Sequence, residues 1–288
     1  MIAVIGATGQ TGSATVKELA ALGENPLCIV RNADKAKTVL GANARTAIAE
    51  ITDKATLTKA LAGVKRLFVV TGHNPQSGEQ QIGILEAAEA AGVEFVVKVS
   101  GGRDIVGPNA ESVVGRGHHA VEERMKRGKF AWCILSPGLF MQNMLGQAAS
   151  IKGDGKIVQP YSKDFPLAFV DVRDTAAVGA RVLRDPAKHA GKVYTFTGPV
   201  TNFENFARDF TAVLGKPVAY VGVTIEQAEA AMKARNMPDW LVAHLVAIAR
   251  AGNKGAFSKE NTQTIRDIVG REPYTTRQFV EAHRGAFV

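Results

Sequence analysis

The chain has 288 residues, 46% of them hydrophobic and 22% charged, with 35 Lys and Arg against 27 Asp and Glu for a net charge of +8. This is the composition of an ordinary soluble globular protein, and no apolar run approaches the roughly 20 residues of a membrane span, so no membrane partner is expected. The positive charges are spread along the chain and no aromatic-basic module appears, so nucleic acid is not expected as a partner either.

The first half alternates short apolar runs with longer amphipathic stretches. The runs IAVIG, PLCIV, ARTAIA, RLFVV, EFVVKV and AWCIL are rich in Val and Ile and do not strictly alternate, as in parallel strands covered on both faces. Between them lie helix patterns: TVKELAAL, then DKATLTKAL with Asp53 at its N-cap, then GEQQIGILEAAEAAG closing on Gly92. Strands spaced by helices define an α/β fold, a Rossmann-like doubly wound parallel sheet. From about residue 140 the rhythm changes to short strands (LAFV, KVYTFTG, VAYVGV) among helices, of which DWLVAHLVAIA and ENTQTIRDIVG are late examples. Residues 1–150 are therefore expected to form a dinucleotide-binding domain. Residues 151–288 are expected to form a smaller, mostly helical portion over the substrate, with some segments returning to the large sheet.

The two cysteines, Cys28 and Cys133, lie inside the apolar runs PLCIV and WCIL, which fits reduced core thiols in a cytoplasmic protein. The strand pattern already runs at Ile2, so a signal peptide is not expected. No CxxC spacing or HExxH pattern is present and no metal site is expected; adjacent His118 and His119 diverge on a helix.

The opening "AVIGATGQTG" places Gly6, Gly9 and Gly12 where a first strand meets a first helix. Glycine is required where backbone approaches a pyrophosphate and where helix packs on strand, and the following helix N-terminus points free N–H groups at the phosphates. Gly6, Thr8, Gly9, Gln10, Thr11 and Gly12 are the expected contacts. The second strand ends "CIVRNADK", with Arg31 and Lys35 where an NAD site carries an acid. Two cations in place of a carboxylate suit the 2′-phosphate of NADP(H). Asp53 either approaches the adenine or caps its helix, and the two roles are compatible.

Taken together, GATGQTG, VRNADK, SPGLFMQN, FVDVRDTA, KVYTFTGP and GREPYTTRQFVEAH resemble the NmrA-like atypical short-chain dehydrogenase/reductase family over essentially the whole chain. Within it the resemblance is to the bacterial NADPH-dependent quinone, triphenylmethane and azo dye reductases. It implies an oxidoreductase that passes hydride to a quinone, a dye or a similar conjugated small-molecule acceptor. The family also holds non-catalytic NADP(H) sensors that dock a partner protein, and a homodimer is the assembly to test.

None of the four tyrosines is followed by Lys four residues later, so tyrosinate-assisted alcohol oxidation is disfavoured. Ser100, in VVKVSGG, matches the family serine beside the nicotinamide; it also reads as a loop-start hydroxyl bonding backbone. His118 and Glu122, in GRGHHAVEERM, share a helix face, and the resemblance puts His118 at the proton-donor position with Glu122 orienting it. The bland alternative is an exposed His–Glu pair on a basic helix. Thr71, Gly72, His73, the loop 101–114 and Pro137 are expected as walls of the site. Phe140, Met141 and Met144 are either substrate walls or core.

Overall fold

The computed structural model describes residues 1–288. The N-terminal half runs β1 (Ile2–Ile5), α1 (Gln10–Ala21), β2 (Leu27–Val30), α2 (Ala33–Leu40), β3 (Thr46–Ile48), α3 (Lys54–Ala60), β4 (Arg66–Val69), α4 (Ser77–Ala90), β5 (Phe95–Val99), α5 (Val113–Lys126) and β6 (Ala131–Pro137). A seventh strand, Lys192–Phe196, joins the same sheet beside β6, and the order is Lys192–Phe196, β6, β5, β4, β1, β2, β3. Every pairing is parallel. The winding reverses between β1 and β4, so a crevice opens beyond their carboxyl ends, where open α/β sheets bind ligands.

Both faces of the sheet are covered, which is why its strands lack polar alternation. On one face Val4, Cys28, Phe68, Val97 and Leu135 pack with Leu19 of α1 and Val178 and Val182 of the helix Val172–Arg184. On the other, Ile5, Ile29, Val69 and Val96 pack with Leu57, Ile84, Val121 and Met125 from α3, α4 and α5. Cys28 and Cys133 are buried and unbridged, and burial pushes their thiols up to about 11 and about 12. No helix is long and apolar enough to cross a membrane.

After β6 the chain builds a smaller, mostly helical portion with its own core around Phe169, Phe203, Phe206, Phe210, Phe279 and Phe287. It holds a three-stranded sheet of Leu139–Phe140, Leu167–Val170 and Val200–Thr201, and a two-stranded pair of Lys156–Gln159 with Ala219–Gly222. The strand Lys156–Gln159 is not foreseen in the sequence, because its two apolar residues sit among polar ones. Two of the phrases that carry the family resemblance meet here. Asp174 of FVDVRDTA, fully buried, accepts from Arg271 Nη1 at 2.6 Å and from the Tyr274 backbone N–H at 2.9 Å, both in GREPY. Arg173 and Arg271 flank the Tyr274 ring at 3.8 and 4.2 Å. These residues lock the C-terminal portion onto the large domain.

Candidate functional site

The opening turn has the shape its glycines imply. Gly6 has φ +78°, and a Cβ there would lie 1.9 Å from the Val70 carbonyl oxygen. A Cβ on Gly12 would lie 2.1 Å from the Gly6 carbonyl oxygen, so the start of α1 packs directly on the turn. Gly9 differs: its added Cβ meets only the Gly6 oxygen, at 3.3 Å, and otherwise projects into open space. Gly9 is the N-cap of α1, no side chain caps the helix, and no acid stands in its first turn. Gly9 and Gln10 are exposed, Thr8 is half-buried and Thr11 is buried. The helix thus offers unpaired N–H groups and a positive dipole end to an open cradle, which fits a dinucleotide pyrophosphate.

Arg31 follows β2 and its side chain is 73% exposed, with Glu50 at 3.9 Å as a loose partner. Asn32 caps α2 by accepting from the Lys35 backbone N–H at 2.9 Å, and the Lys35 residue is exposed. Both cations are free to meet a phosphate. Asp53 caps α3, its Oδ1 accepting from the N–H groups of Ala55 and Thr56 at 3.0 and 3.1 Å. Thr71 follows β4 and is held by Gln81 Nε2 at 2.8 Å, and Gly72 beside it is exposed.

Beyond β5 and β6 the geometry departs from the expected pairing. Ser100 is buried at the end of β5, with its hydroxyl donated to Glu122. Glu122 does not orient His118. Its carboxylate accepts instead from Ser100 and, as a two-point pair, from Arg103, whose Nη1 lies 2.8 Å from Oε2. Charge-assisted bonds to a planar guanidinium outcompete a contact with a neutral ring. Burial raises the Glu122 pKa, but these bonds and charges outweigh it and hold the carboxyl below the usual range. Arg103 also reaches Ser136 of β6, Nε to Oγ at 2.8 Å, and Ser136 donates to the Gly101 carbonyl at 2.6 Å.

His118 finds Lys98 in place of Glu122. The Lys98 side chain is fully buried, and its Nζ lies 2.9 Å from His118 Nδ1 and 3.2 Å from the Val99 carbonyl. Lys98 alternates along β5 with Val97 and Val99, so it points to the α4–α5 face where His118 sits. Burial lowers its pKa from 10.5 to about 7, with Glu122 opposing and Arg103 reinforcing the shift. His118, only 8% exposed, is pushed well below 6.5 by burial and by the Lys98 charge. His118 at the expected proton-donor position is therefore held below the near-neutral range in which an ordinary histidine titrates.

The His73 ring lies edge-on to His118 and to His244, with centroids 5.6 and 5.4 Å away. His244, from the helix Asp239–Asn253, shares a 2.6 Å hydrogen bond with Ser112 Oγ, and burial lowers its pKa to about 4. His73 is exposed along one side. A cleft of about 900 Å³ opens next to this cluster, walled by the loop Gly102–Ser112, Ser136, Pro137 and residues of the C-terminal portion including Phe257. Pro137 is among the residues that wall this cleft. His73, Phe140 and Met141 do not line the cleft. Met141 is 1% and Met144 2% exposed, and both pack in the C-terminal core, so they serve as core. Phe140 packs against the core of the large domain. His119 is half-buried, and no group of three or more His, Cys, Asp or Glu side chains is placed to hold a metal.

Lys98 and Arg103 escape a motif reading, although Lys98 is the one charge inside the apolar run FVVKV. His244 carries no local signal, because its partner Ser112 stands 132 residues earlier.

The sheet order, the open glycine turn and the cleft beyond the strand ends define a dinucleotide-binding α/β protein of the Rossmann type. More narrowly, the chain belongs to the NmrA-like family, whose model matches residues 1–277. It is similar to an NAD(P)H azoreductase of Xenophilus azovorans, 32% identical, covering 100% of this chain and 99% of the relative. Quinone oxidoreductase 2 of Escherichia coli is 29% identical and covers 96% of each chain. The crystal structure of the Escherichia coli NADPH-dependent quinone oxidoreductase in complex with NADPH superposes with a TM-score of 0.85 at 27% identity, covering 98% of this chain and 99% of that one.

Proposed function

We propose that this protein is an NADPH-dependent oxidoreductase that reduces quinones, dyes and similar conjugated small molecules. The observation that carries the reading is the open, uncapped glycine cradle set in a chain that matches azoreductase and quinone oxidoreductase from end to end. When bound, the reduced nicotinamide supplies the hydride.

The chain's own residues then have the following parts. The turn from Gly6 to Gly12 holds the pyrophosphate, with Thr8, Gln10 and Thr11 around it. Arg31 and Lys35 select the 2′-phosphate. Asp53, Thr71, Gly72, Ser100 and Pro137 line the path of the dinucleotide. The Arg103–Glu122–Ser100 network fixes the loop that walls the cleft, where a flat acceptor is held away from water. His118 offers its free ring nitrogen to the reduced acceptor.

The sensor alternative has less behind it, because the full-length relatives at 29% and 32% identity are reductases. A cytoplasmic setting, a homodimer and the absence of a nucleic-acid partner belong to the same proposal. The test is consumption of NADPH, followed by loss of its near-ultraviolet absorbance, over a panel of quinones, azo dyes, triphenylmethane dyes and enones. Turnover of at least one class is expected. Tight NADPH binding with no turnover of any acceptor would overturn the reading in favour of the sensor.

A further inference from the structure

Within the proposed reductase, one buried residue outside the expected site has the geometry of a proton source. We propose that Lys98 acts through His118: the lysine ammonium replaces, at Nδ1, the proton that His118 gives to the reduced acceptor from Nε2.

The argument begins with placement. Lys98 is fully buried, yet its Nζ has only two partners, His118 Nδ1 at 2.9 Å and the Val99 carbonyl at 3.2 Å. No carboxylate pairs with it; the nearest acid on the same helix face, Glu122, is taken by Ser100 and Arg103. A buried lysine without a salt bridge is costly. Lysine has no acceptor when charged, so the ammonium donates and Nδ1 accepts. That fixes His118 as the tautomer with its proton on Nε2. The opposite side of the ring faces the loop, since Cδ2, next to Nε2, lies 3.3 Å from the point where a Cβ on Gly101 would stand. The lysine thus holds the inner nitrogen, and the Nε2 edge of the ring lies against the loop that starts at Gly101 and goes on to wall the cleft, although His118 itself is not among the cleft's lining residues.

The transfer balances without any further reagent. Hydride delivery leaves an anion on the acceptor's oxygen or nitrogen. The Nε2–H bond breaks as that atom takes the proton, and a new Nδ1–H bond forms as an Nζ–H bond breaks. No electron moves in the relay, the imidazole ends neutral in its other tautomer, and Lys98 ends as an amine. A water-derived proton entering at Nε2 reverses the tautomer shift and restores the ammonium.

Every group facing Lys98 is consistent with a poised site. From α5 come His118 and the Glu122 carboxylate, and from the loop after β5 comes Arg103. His73, after β4, feels the Lys98 charge, and His244 packs behind His73. Glu122 and Arg103 oppose each other, so burial dominates and leaves the lysine near half-protonation at about pH 7. His118 alone, driven well below its ordinary range, holds almost no extra proton there.

The experiment is nitrogen NMR of histidine-labelled full-length protein across pH 5–9 (about two units around neutrality), on wild type, Lys98→Met and Lys98→Arg, with NADPH turnover alongside. Wild-type His118 is expected as the Nε2–H tautomer, with Nδ1 shifting near pH 7 as its lysine donor loses its charge. Lys98→Met is expected to lose that shift and to lower kcat by roughly 10–100-fold with NADPH affinity unchanged. Lys98→Arg, whose charge does not titrate, is expected to keep the tautomer but flatten the pH profile. A wild-type pH shift of Nδ1 retained in Lys98→Met would overturn the proposal, and so would an Nδ1–H tautomer in wild type. Because the tautomer is read without turnover, failure of the reductase reading shows separately, as wild-type protein inert toward every acceptor.

Discussion

The two halves of the site are built from opposite materials. At the β1–α1 turn the working parts are backbone and empty space: N–H groups without a cap and a glycine whose missing Cβ opens onto the crevice. Behind β5 the working parts are ionisable side chains, Lys98, His118, Glu122 and Arg103, most of them buried and none free of a partner. The first half is blocked by adding atoms. The second is weakened by removing charge, and holding that charge in a low-dielectric interior costs stability. Substitutions at the two ends should therefore separate binding from chemistry.

The largest effect is expected at Gly9. Gly9→Val puts a branched side chain where the pyrophosphate belongs, while its own Cβ meets only the Gly6 oxygen at 3.3 Å. The fold is expected to survive, with an unchanged circular dichroism spectrum, and NADPH binding to be lost. Near-normal affinity by titration calorimetry would show that this turn is not the phosphate cradle. Gly12→Val is a useful contrast, because its Cβ would fall 2.1 Å from a carbonyl oxygen and the fold itself should fail.

At the other end, His118→Ala is expected to lower kcat by roughly 10²–10⁴-fold, the usual weight of a positioned proton donor. NADPH affinity should stay within a few-fold. The loss should be larger with an enone than with a quinone, whose reduced anion can draw a proton from water. Any pH limb near neutrality belongs to Lys98 rather than His118, since burial and the lysine charge hold His118 well below 6.5. Equal rates for wild type and variant on every accepted substrate would leave His118 with no part in the chemistry.

A smaller effect is expected at Arg31, which follows β2. Its side chain is 73% exposed and its contact with Glu50 at 3.9 Å is weak, so Arg31→Ala should leave stability unchanged. Loss of charge-assisted bonds to the 2′-phosphate, worth about 1.5–3 kcal/mol, should weaken NADPH binding about ten- to a hundred-fold and NADH binding hardly at all. Equal losses for both cofactors would refute the assignment.

The same contrast explains what a reader of the sequence can see. The turn is legible because its chemistry is local: three glycines within seven residues, the preceding strand and the following helix all sit in one short phrase. The doubly wound sheet is legible because buried parallel strands leave Val- and Ile-rich runs. The cluster behind β5 is not. Sharing a helix face brings His118 and Glu122 near each other, but their partners come from β5 and from the loop after it, while His244 of the helix Asp239–Asn253 joins the cluster through Ser112 and His73. Which pairs form is decided by competition: Arg103 takes Glu122, and Lys98 is left to His118. Met141 shows the complementary limit, since a methionine beside a site and a methionine in a core look alike until burial is known.

The smallest effect is on stability, and it tests whether the β5 cluster carries the electrostatic cost assigned to it. Lys98 has a folded-state pKa of about 7 against 10.5 for an ordinary lysine. Below about pH 7 both folded and unfolded chains hold its proton, and the folded state bears the full penalty. Between about pH 7 and 10.5 the unfolded chain holds more protons, so this contribution to stability rises with pH and the penalty is gone at the top of the window. Lys98→Met removes the penalty but also removes two hydrogen bonds, to His118 and Val99, a loss of about 1 kcal/mol each that does not depend on pH in the same way. The informative quantity is therefore the difference between the two proteins at two pH values. A shift of this size allows at most about 4–5 kcal/mol, and relaxation with water entry reduces it to about 1–3 kcal/mol. Urea unfolding at pH 7 and pH 10 measures it. The variant is expected to gain on wild type at pH 7 relative to pH 10, while turning over acceptor more slowly. A wild-type-minus-variant difference that stays flat across this window would mean that Lys98 keeps an ordinary pKa, and that the β5 cluster is as undemanding of stability as the glycine turn.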